Sequence, residues 1–164
     1  MVVPQVAKSL PSIKAVIGHI PQHLRTLKIP DERGRLHVLR RIVTNLIREE
    51  RCELLYNRAV EARPYMERLL QLVIYRGMDD PYVKEMTDWW VAEEDMREKL
   101  RDVLIPRFSN IEEPFTNLYA LPKESFTSYK RGRHEKYRIA ELGLLELKGL
   151  LLSKLCHLTI AIMK

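Results

Sequence analysis

Cysteine and glycine are both scarce in this chain, and their scarcity narrows the chemistry available to it. The 164 residues include two cysteines, Cys52 and Cys156, which lie far apart and belong to no paired spacing of the kind that zinc sites or disulfide frameworks use. We therefore expect reduced, buried thiols in a reducing compartment. The six glycines form neither a Walker loop nor a dinucleotide-binding pattern, so no phosphate cradle of those types is predicted.

Catalytic constellations are also lacking. The five histidines are scattered and have no partner carboxylate at metal-binding spacing: His19, His23, His37, His134 and His157. The acidic runs at 49–50 and 93–95 place adjacent side chains on different sides of a helix, so their carboxylates do not share one site. The sequence therefore predicts a protein that is not an enzyme and that uses no metal and no cofactor.

Long apolar runs are missing, and charge is unevenly distributed. The run closest to membrane-spanning length, residues 144–163, is broken by one acid, two lysines and one histidine. Acids are absent from residues 1–30. Residues 1–48 carry a charge of +7, residues 49–121 carry −6 and residues 122–164 carry +5. Basic segments on both sides of an acidic one favour a polyanionic partner such as nucleic acid.

Residues 33–51 form the most informative stretch, because their pattern predicts an amphipathic helix with two unlike faces. One face collects the apolar side chains Leu39, Ile42, Val43, Leu46 and Ile47. The opposite face collects Arg33, His37, Arg40, Arg41 and Arg48. A solvated helix face normally mixes both signs of charge at i, i+4 spacing. We therefore predict that the apolar face packs on the protein and that the basic face binds a polyanion.

Residues 1–30 partly resemble a mitochondrial targeting helix, since they are basic and acid-free and place apolar residues at helical spacing. The apolar positions are Val2, Val6, Leu10, Ile13, Ile17 and Ile20. Pro4, Pro11 and Pro21 interrupt that helix, and arginine is scarce. The alternative is a basic arm that lies on RNA or on a neighbouring protein, and the two hypotheses are compatible.

Three more helices are predicted after a short extended piece at 51–55. The first runs from about Asn57 to Tyr75 and ends at Gly77, and Pro64 inside it predicts a kink or a restart. Its buried side is predicted to be Ala59, Ala62, Met66, Leu69, Leu70 and Val73.

Asp80 and Pro81 open the next helix, because proline suits the first helical position. This helix carries Trp89 and Trp90, whose predicted role is packing. A fourth helix is predicted from about Asp95 to Ile105, before Pro106.

The last third of the chain is predicted to contain a hairpin and a helix. Residues 115–121 and 136–142 have strand patterns, and the polar loop 122–135 joins them. Basic and aromatic side chains alternate around the glycine of this loop, a pattern that suits phosphate contacts with base stacking. Leucines at helical spacing from residue 144 onward predict an amphipathic helix that either folds back on the core or docks on a partner helix.

With these residues assembled, the chain resembles the bacterial-type large-subunit ribosomal protein family seventeen, in its mitochondrial branch. The resemblance covers about 110 residues in the right order and spacing. Its segments are 35–51 (RLHVLRRIVTNLIREER), 59–70 (AVEARPYMERLL), 88–95 (DWWVAEED), 99–108 (KLRDVLIPRF), 115–119 (FTNLY) and 139–142 (IAEL).

The resemblance implies an α+β domain without catalysis, bound to large-subunit ribosomal RNA near the exit of the nascent-chain tunnel. By position, Arg35, Arg40 and Arg48 fall where the family has basic residues in its first helix. The chain departs from the family in two places. An asparagine that usually follows the helix arginine is Arg41 here, and a Gly-Gly-Tyr-Thr-Arg run is replaced by EPFTN at 113–117, so the arginine contact of that strand is absent.

The predicted fold is α+β, with about four core helices packed on a small sheet made of the short strand after the first helix and the C-terminal hairpin. We predict a basic N-terminal extension (1–30), a ribosomal RNA-binding α+β domain (31–143) and a Leu-rich helical C-terminal extension (144–164). The predicted RNA contacts are Arg33, Arg35, His37, Arg40, Arg41 and Arg48 on the first helix, and Lys123, Lys130, Arg131, Arg133 and Lys136 near the hairpin loop.

The predicted function is that of a structural constituent of the mitochondrial large ribosomal subunit, located in the matrix. Its partners would be large-subunit ribosomal RNA and, through the two extensions, neighbouring mitochondrial ribosomal proteins, without membrane insertion. The alternative is a helical adaptor subunit whose basic faces bind acidic proteins, and nuclease digestion distinguishes the two. A peripheral membrane protein that uses its Leu-rich tail is the third hypothesis.

Overall fold

Five helices and five strands make up the described part of the chain. The computed structural model describes residues 10–17, 33–131 and 134–149, and for the strand residues from 128 to 135 it describes the backbone alone. The helices are α1 (Gly34–Glu49), α2 (Tyr56–Arg76), α3 (Pro81–Trp90), α4 (Glu94–Lys99) and α5 (Ile105–Phe108). The strands are β1 (Arg51–Leu55), β2 (Thr116–Ala120), β3 (Glu124–Arg131), β4 (His134–Ala140) and β5 (Leu142–Leu147).

The two longest helices build the centre of the core on the faces that their patterns predict. The apolar stripe of α1 is buried at Leu39, Ile42, Val43, Leu46 and Ile47. The stripe of α2 is buried at Ala59, Ala62, Met66, Leu69, Leu70 and Val73. Helix α2 continues through Pro64 without a restart, because buried residues on both sides of the proline pack against the same core and hold the two halves in one helix.

The end of α2 and the start of α3 occur at the predicted residues, and each has a local chemical cause. Gly77 follows α2 with a φ of +79°, a conformation that glycine adopts without strain. The Asp80 carboxylate accepts a hydrogen bond from the Tyr82 N–H at 2.8 Å and caps α3, with Pro81 at the first helical position.

The predicted end of the fourth helix before Pro106 is wrong. Helix α4 passes into a π-helical turn, Leu100–Leu104, and then into α5, so one helical stretch runs through Pro106 to Phe108. In the wide turn the Ile105 N–H donates to the Leu100 carbonyl, five residues back. A regular α-helix would place the proline ring against the carbonyl four residues earlier, and the π-helical register relieves that clash.

The sheet differs from the predicted hairpin. Three antiparallel strands are ordered β1–β5–β2, with Leu55 opposite Leu142 and Ala120 opposite Gly143. The predicted strand at 136–142 corresponds to β4, which does not pair with β2. Strand β5 takes that central place, because its alternate leucines enter the core while its backbone bonds strands on both sides.

Residues 122–135, predicted as a loop, contain strand β3 and the start of β4. These two strands form a separate antiparallel ribbon, with a register irregularity between Thr127 and Tyr129. Leu121 donates its N–H to the Leu142 carbonyl at 2.9 Å, so the ribbon is inserted at the tip of the β2–β5 hairpin. The polar composition hid these strands because the ribbon side chains that the structure describes away from the sheet, at 124–127 and 136–139, are all exposed.

The start of the predicted C-terminal helix is also wrong. Leu144 and Leu147, assigned to its apolar stripe, lie in β5, and the predicted division between residues 143 and 144 falls inside that strand. Cross-strand pairing on both sides stabilises the extended conformation over the helical periodicity. The remaining stripe, from Leu151 onward, lies outside the described residues.

The described part of the N-terminal extension, residues 10–17, is not helical. Leu10 packs against the core, and Ala15 is buried. Arg68 donates to the Pro11 carbonyl at 3.1 Å and Arg63 donates to the Val16 carbonyl at 2.9 Å. The predicted targeting helix is therefore wrong over these residues, because Pro11 disfavours a helix and α2 satisfies the backbone carbonyls instead.

The α+β class is confirmed, with four helical stretches and small antiparallel sheets. The packing role of Trp90 is also confirmed, since its ring lies 5.1 Å from that of Tyr65 and packs against the core. Strand β2 is attached to α2 by a buried carboxylate: Glu67 accepts hydrogen bonds from the N–H groups of Phe115 and Thr116 at 3.0 and 2.7 Å.

Candidate nucleic-acid interface

The basic face of α1 contains one continuous exposed line. Arg33, His37 and Arg41 follow each other at four-residue spacing, and all three are exposed. Within the described residues, neither His37 nor Arg41 makes an ion pair or a side-chain hydrogen bond. Side chains four residues apart lie one above the other on a helix, so this line presents two arginines with the imidazole of His37 between them.

Two of the predicted contacts on α1 pair with acids of the same chain. The Arg35 Nε atom lies 3.4 Å from the Glu61 carboxylate on α2. Arg48 forms a bidentate pair with the Glu93 carboxylate and donates to Asn45 Oδ1 at 3.1 Å. The expectation of a basic face without acidic partners is therefore wrong at Arg48, and Arg35, which was predicted by its position in the family, is also paired. In both cases the acid comes from a segment that is distant in sequence.

The Arg48 pair also shifts the titration of its guanidinium. The hydrogen bond to Glu93 and the charge of that carboxylate raise the pKa of Arg48 above its usual value. Arg48 therefore stays charged, but its charge is locally compensated.

Arg40 is held in place without an acidic partner among the described residues. Its guanidinium carbon is 5.4 Å from the centre of the Trp89 ring, which is a cation–π distance. An aromatic face attracts the cation without neutralising it. Trp89 in turn meets Trp90 edge to face, with ring centres 4.9 Å apart. Arg40 is thus fixed in position while it keeps its charge.

Directly after α1, two cations of the same chain neutralise the carboxylate of Glu50. Glu50 is buried and pairs with Arg107 and with Lys99, whose Nζ atom is 3.0 Å from the carboxylate. Burial acts to raise the pKa of Glu50, but the hydrogen bonds from Arg107 and Lys99 outweigh burial and hold the pKa below its usual value. The C-terminal end of α1 is therefore joined to α4 and α5 by ion pairs.

The predicted ribbon contacts fall into three groups. Lys123 forms an exposed ion pair with Glu141 at 2.8 Å, and this hydrogen bond raises the pKa of Lys123. Lys136 is exposed on β4. Lys130 and Arg131 lie in β3 by their backbone, and Arg133 lies outside the described residues.

Three exposed residues near these sites were missed by the sequence analysis. Arg58 is exposed on the first turn of α2, and Arg138 and Tyr137 are exposed on β4. The Tyr137 side chain is 63% exposed. Arg58 has no neighbouring cation in sequence, which is why it drew no attention. The alternation of lysine, tyrosine and arginine at 136–138 belongs to the basic and aromatic pattern of the sequence. That pattern does not show which of the individual side chains are exposed.

The two faces of the ribbon differ in charge. Phe126 lies opposite Arg138, so one face combines an aromatic ring with cations. On the other face Ser125 lies opposite Ile139, and Thr127 lies opposite Tyr137. Basic and aromatic side chains on one exposed face can contact phosphates and stack on unpaired bases.

The first two turns of α2 connect α1 with the ribbon. The Tyr56 N–H donates to the Glu141 carbonyl at the ribbon base, at 2.9 Å. One turn and a half later, Glu61 pairs with Arg35 on α1. Arg58, exposed on α2, lies between these two contacts in sequence.

The described residues include a groove, but neither a cluster suited to a metal ion nor a helix suited to crossing a membrane. No group of three or more His, Cys, Asp or Glu side chains there is arranged to hold a metal ion. A groove of about 450 Å³ between α1, α2 and α3 is lined mainly by apolar side chains, with Arg35, Glu61 and Arg68 at its polar positions. Over the same part of the chain, no helix has the length and apolar character needed to cross a membrane.

A small α+β domain with a cationic helix edge and a protruding basic ribbon fits the class of ribosomal proteins. The comparison with known families assigns the class: the family described as Ribosomal protein L17 matches residues 38–132, more than half of the chain. The chain therefore belongs to the ribosomal protein L17 family. Its role is structural, in the large ribosomal subunit, where members associate with ribosomal RNA and other ribosomal proteins, and the family is not one of enzymes.

Proposed function

We propose that this protein is a constituent of the mitochondrial large ribosomal subunit and binds ribosomal RNA near the exit of the nascent-chain tunnel. The observation that carries the RNA-binding surface is the exposed edge of α1 at His37 and Arg41, and the exposed cations Arg58, Lys136 and Arg138 accompany it. The apolar side of the same helix is fully engaged in the core. One short helix thereby connects the protein interior to the nucleic acid.

The mechanism is charge neutralisation together with shape. Each phosphate neutralised by a lysine or arginine releases counterions and adds about 0.7–0.9 to the steepness of the log–log dependence of affinity on salt. Arg41, Arg58, Lys136 and Arg138 are exposed cations that can make such contacts. Arg40 contributes a fixed charge beside Trp89. Arg35 and Arg48 hold α1 to the rest of the domain, and their contribution to RNA affinity is smaller.

Mitochondrial location is supported by two sequence features. Residues 1–30 contain no acid, as is typical of mitochondrial targeting segments. Residues 88–95 and 99–108 resemble the mitochondrial version of the family. Fractionation tests the location: the protein should sediment with large subunits from purified mitochondria and leave that fraction after ribonuclease treatment. Recovery in cytosolic ribosomes alone would contradict the proposal.

Incorporation of paired variants tests the RNA surface. The double variant Arg41→Glu/Arg58→Glu should fold normally, because both side chains are exposed, but should be largely absent from large subunits on a sucrose gradient. The matched control is Lys84→Glu/Arg101→Glu, which changes the charge equally at two exposed cations of α3 and the π-helical turn. The control should assemble normally. Equal yields of the two variants would show that the proposed surface does not meet RNA.

A further inference from the structure

The outer edge of β1 is a feature that RNA binding by α1 and the ribbon does not use. Among residues 33–131 and 134–149, the only strand paired with β1 is β5, on its inner side. A strand edge presents unpaired N–H and C=O groups that another extended chain can bind. Edge strands of natural proteins are often short and charged, and an open edge alone does not indicate a partner. Whether the β1 edge suits a partner strand depends on the groove and the charges beside it.

The hydrogen-bond register shows which backbone groups of β1 point outward. The Leu147 N–H donates to the Glu50 carbonyl at 2.8 Å, and the Tyr56 N–H donates to the Glu141 carbonyl at 2.9 Å. Even-numbered residues of β1 therefore direct their backbone groups at β5. In an antiparallel pair the alternate residues point the other way. The N–H and C=O of Glu53 accordingly face the open edge.

A groove runs along this edge, in the position that the side chains of an added strand would occupy. Its volume is about 290 Å³, and it lies between α1 and β1. The apolar lining consists of Ile42, Cys52 and Leu54, which contact the core from the opposite side. A neighbouring strand about 4.8 Å from β1 would direct alternate side chains into this groove and the others to the outer face of the sheet.

The charges around the edge select a basic partner. Glu49 lies at the rim of the groove and Glu53 lies on β1, and both are exposed. Neither carboxylate has an ion-pair partner within the described ranges. Of the two cations beside them, Arg48 is already held by Glu93, and Arg51 at the start of β1 also has an interaction within the chain. RNA phosphates would be repelled here, whereas lysine or arginine side chains on either face of an added strand would each meet a carboxylate.

We propose that the β1 edge binds an extended, basic segment of a neighbouring protein, which adds a strand to the sheet beside Glu53. Its backbone bonds the outward N–H and C=O of Glu53, its apolar side chains enter the groove over Ile42, and its cations pair with Glu49 and Glu53. This surface adjoins the end of the cationic line on α1, because Asn45 and Glu49 follow Arg41 at four-residue spacing and line the groove. The protein is therefore held in the large subunit by RNA at the first turns of α1 and by protein at its last turn.

Amide hydrogen exchange tests the added strand in the intact particle. In the isolated full-length chain the Glu53 N–H should exchange fast, whereas the Cys52 N–H, directed at β5, should be protected. In purified large subunits the exchange at Glu53 should slow by at least about tenfold, with Cys52 protected in both states. Fast exchange at Glu53 in the subunit, or protection already present in the isolated chain, would overturn the proposal.

Charge reversal then identifies the class of partner. In subunits that carry Glu49→Lys/Glu53→Lys, the protection at residue 53 should be lost, because the basic segment is repelled. The matched control Glu94→Lys/Glu98→Lys reverses two exposed acids four residues apart on α4 and should keep the protection. Protection that survives or increases in the first variant would identify RNA as the occupant and overturn the proposal. RNA binding through Arg41 should be unchanged in both variants.

Discussion

At the scale of single residues, ion pairs within the chain decide which cations of α1 are available to a partner. Arg35 and Arg48 pair with Glu61 and Glu93, while His37 and Arg41 have no such partner among the described residues. A helical wheel places His37, Arg41 and Arg48 together on the basic face, whereas Arg35 was predicted by its position in the family alone. The wheel does not show the acids that pair with Arg35 and Arg48 from 26 and 45 positions further along the chain. The sequence therefore predicted the cations of α1, but not which of them are paired within the chain.

This division predicts unequal effects of two similar substitutions. Arg41→Gln removes a cation of the proposed RNA surface and should reduce the steepness of the salt dependence of RNA affinity by about 0.7–0.9. Arg48→Gln removes a cation that Glu93 already compensates and should change the slope much less. Binding to large-subunit ribosomal RNA over a range of salt concentrations measures both. A larger slope change for Arg48→Gln would reverse the assignment.

Glu50 predicts how stability depends on pH. Its pKa in the folded state lies below the usual value of 4.5 because the hydrogen bonds from Arg107 and Lys99 outweigh the effect of burial. A depressed pKa adds stability that is complete above the unfolded-state pKa and is lost as the pH falls through the folded-state pKa.

Glu50→Gln should therefore lower the free energy of unfolding by about 1–2 kcal/mol at pH 7, where charge-assisted hydrogen bonds are lost. Its deficit relative to the unsubstituted protein should shrink below pH 4.5. Urea unfolding at a series of pH values measures this, with the exposed neighbour substitution Glu49→Gln as control. A deficit that is constant with pH would contradict the ionic role of Glu50.

At the scale of elements, the sequence predicted the helices better than the strands. Helix α1 and helix α2 have one buried stripe each, and burial on a single face is what a 3.6-residue period reports. Strand β5 has core leucines on one side, while Leu144 and Glu146 are buried on the other, so it lacks the alternation of a half-exposed strand. Its leucines also continue in register with the leucines beyond residue 150, which made the segment look helical.

The ribbon is an insertion whose removal should leave the sheet intact. Its strands pair with each other and leave the sheet between Leu121 and Leu142, which already face each other at the hairpin tip. Replacing residues 123–140 with Asn-Gly leaves a four-residue loop, a common length for a hairpin. We expect the variant to fold and to unfold cooperatively.

RNA affinity should fall in the same variant, because the ribbon cations are lost. The slope of the salt dependence should decrease by about 0.7–0.9 for each phosphate contact removed. Circular dichroism and salt-dependent RNA binding measure the two effects on one sample. Loss of folding would show that the ribbon supports the sheet, and an unchanged slope would show that it does not meet RNA.

At the scale of the whole molecule, the order of segments along the chain was the most reliable signal. The match to the L17 family over residues 38–132 agrees with the ordered resemblance that the sequence contains. The uneven charge along the chain likewise indicated a polyanionic partner. The contact between residues 10–17 and α2 could not be predicted, because Arg63 and Arg68 bind backbone carbonyls there, and every sequence offers the same carbonyl groups.

The central claim is that the exposed side of α1 and the ribbon contact RNA in the assembled subunit, and ultraviolet crosslinking of intact large subunits tests it directly. Crosslinked nucleotides mapped by mass spectrometry should occur at His37 on α1 and at Phe126 on the basic face of the ribbon. Tyr75, on the C-terminal part of α2, is the matched control, because it is 55% exposed against 41% for Phe126. Nucleotides are expected at the first two positions and none at Tyr75. Crosslinks at Tyr75 without any at His37 or Phe126 would place the RNA on another side of the molecule and contradict the proposed RNA surface.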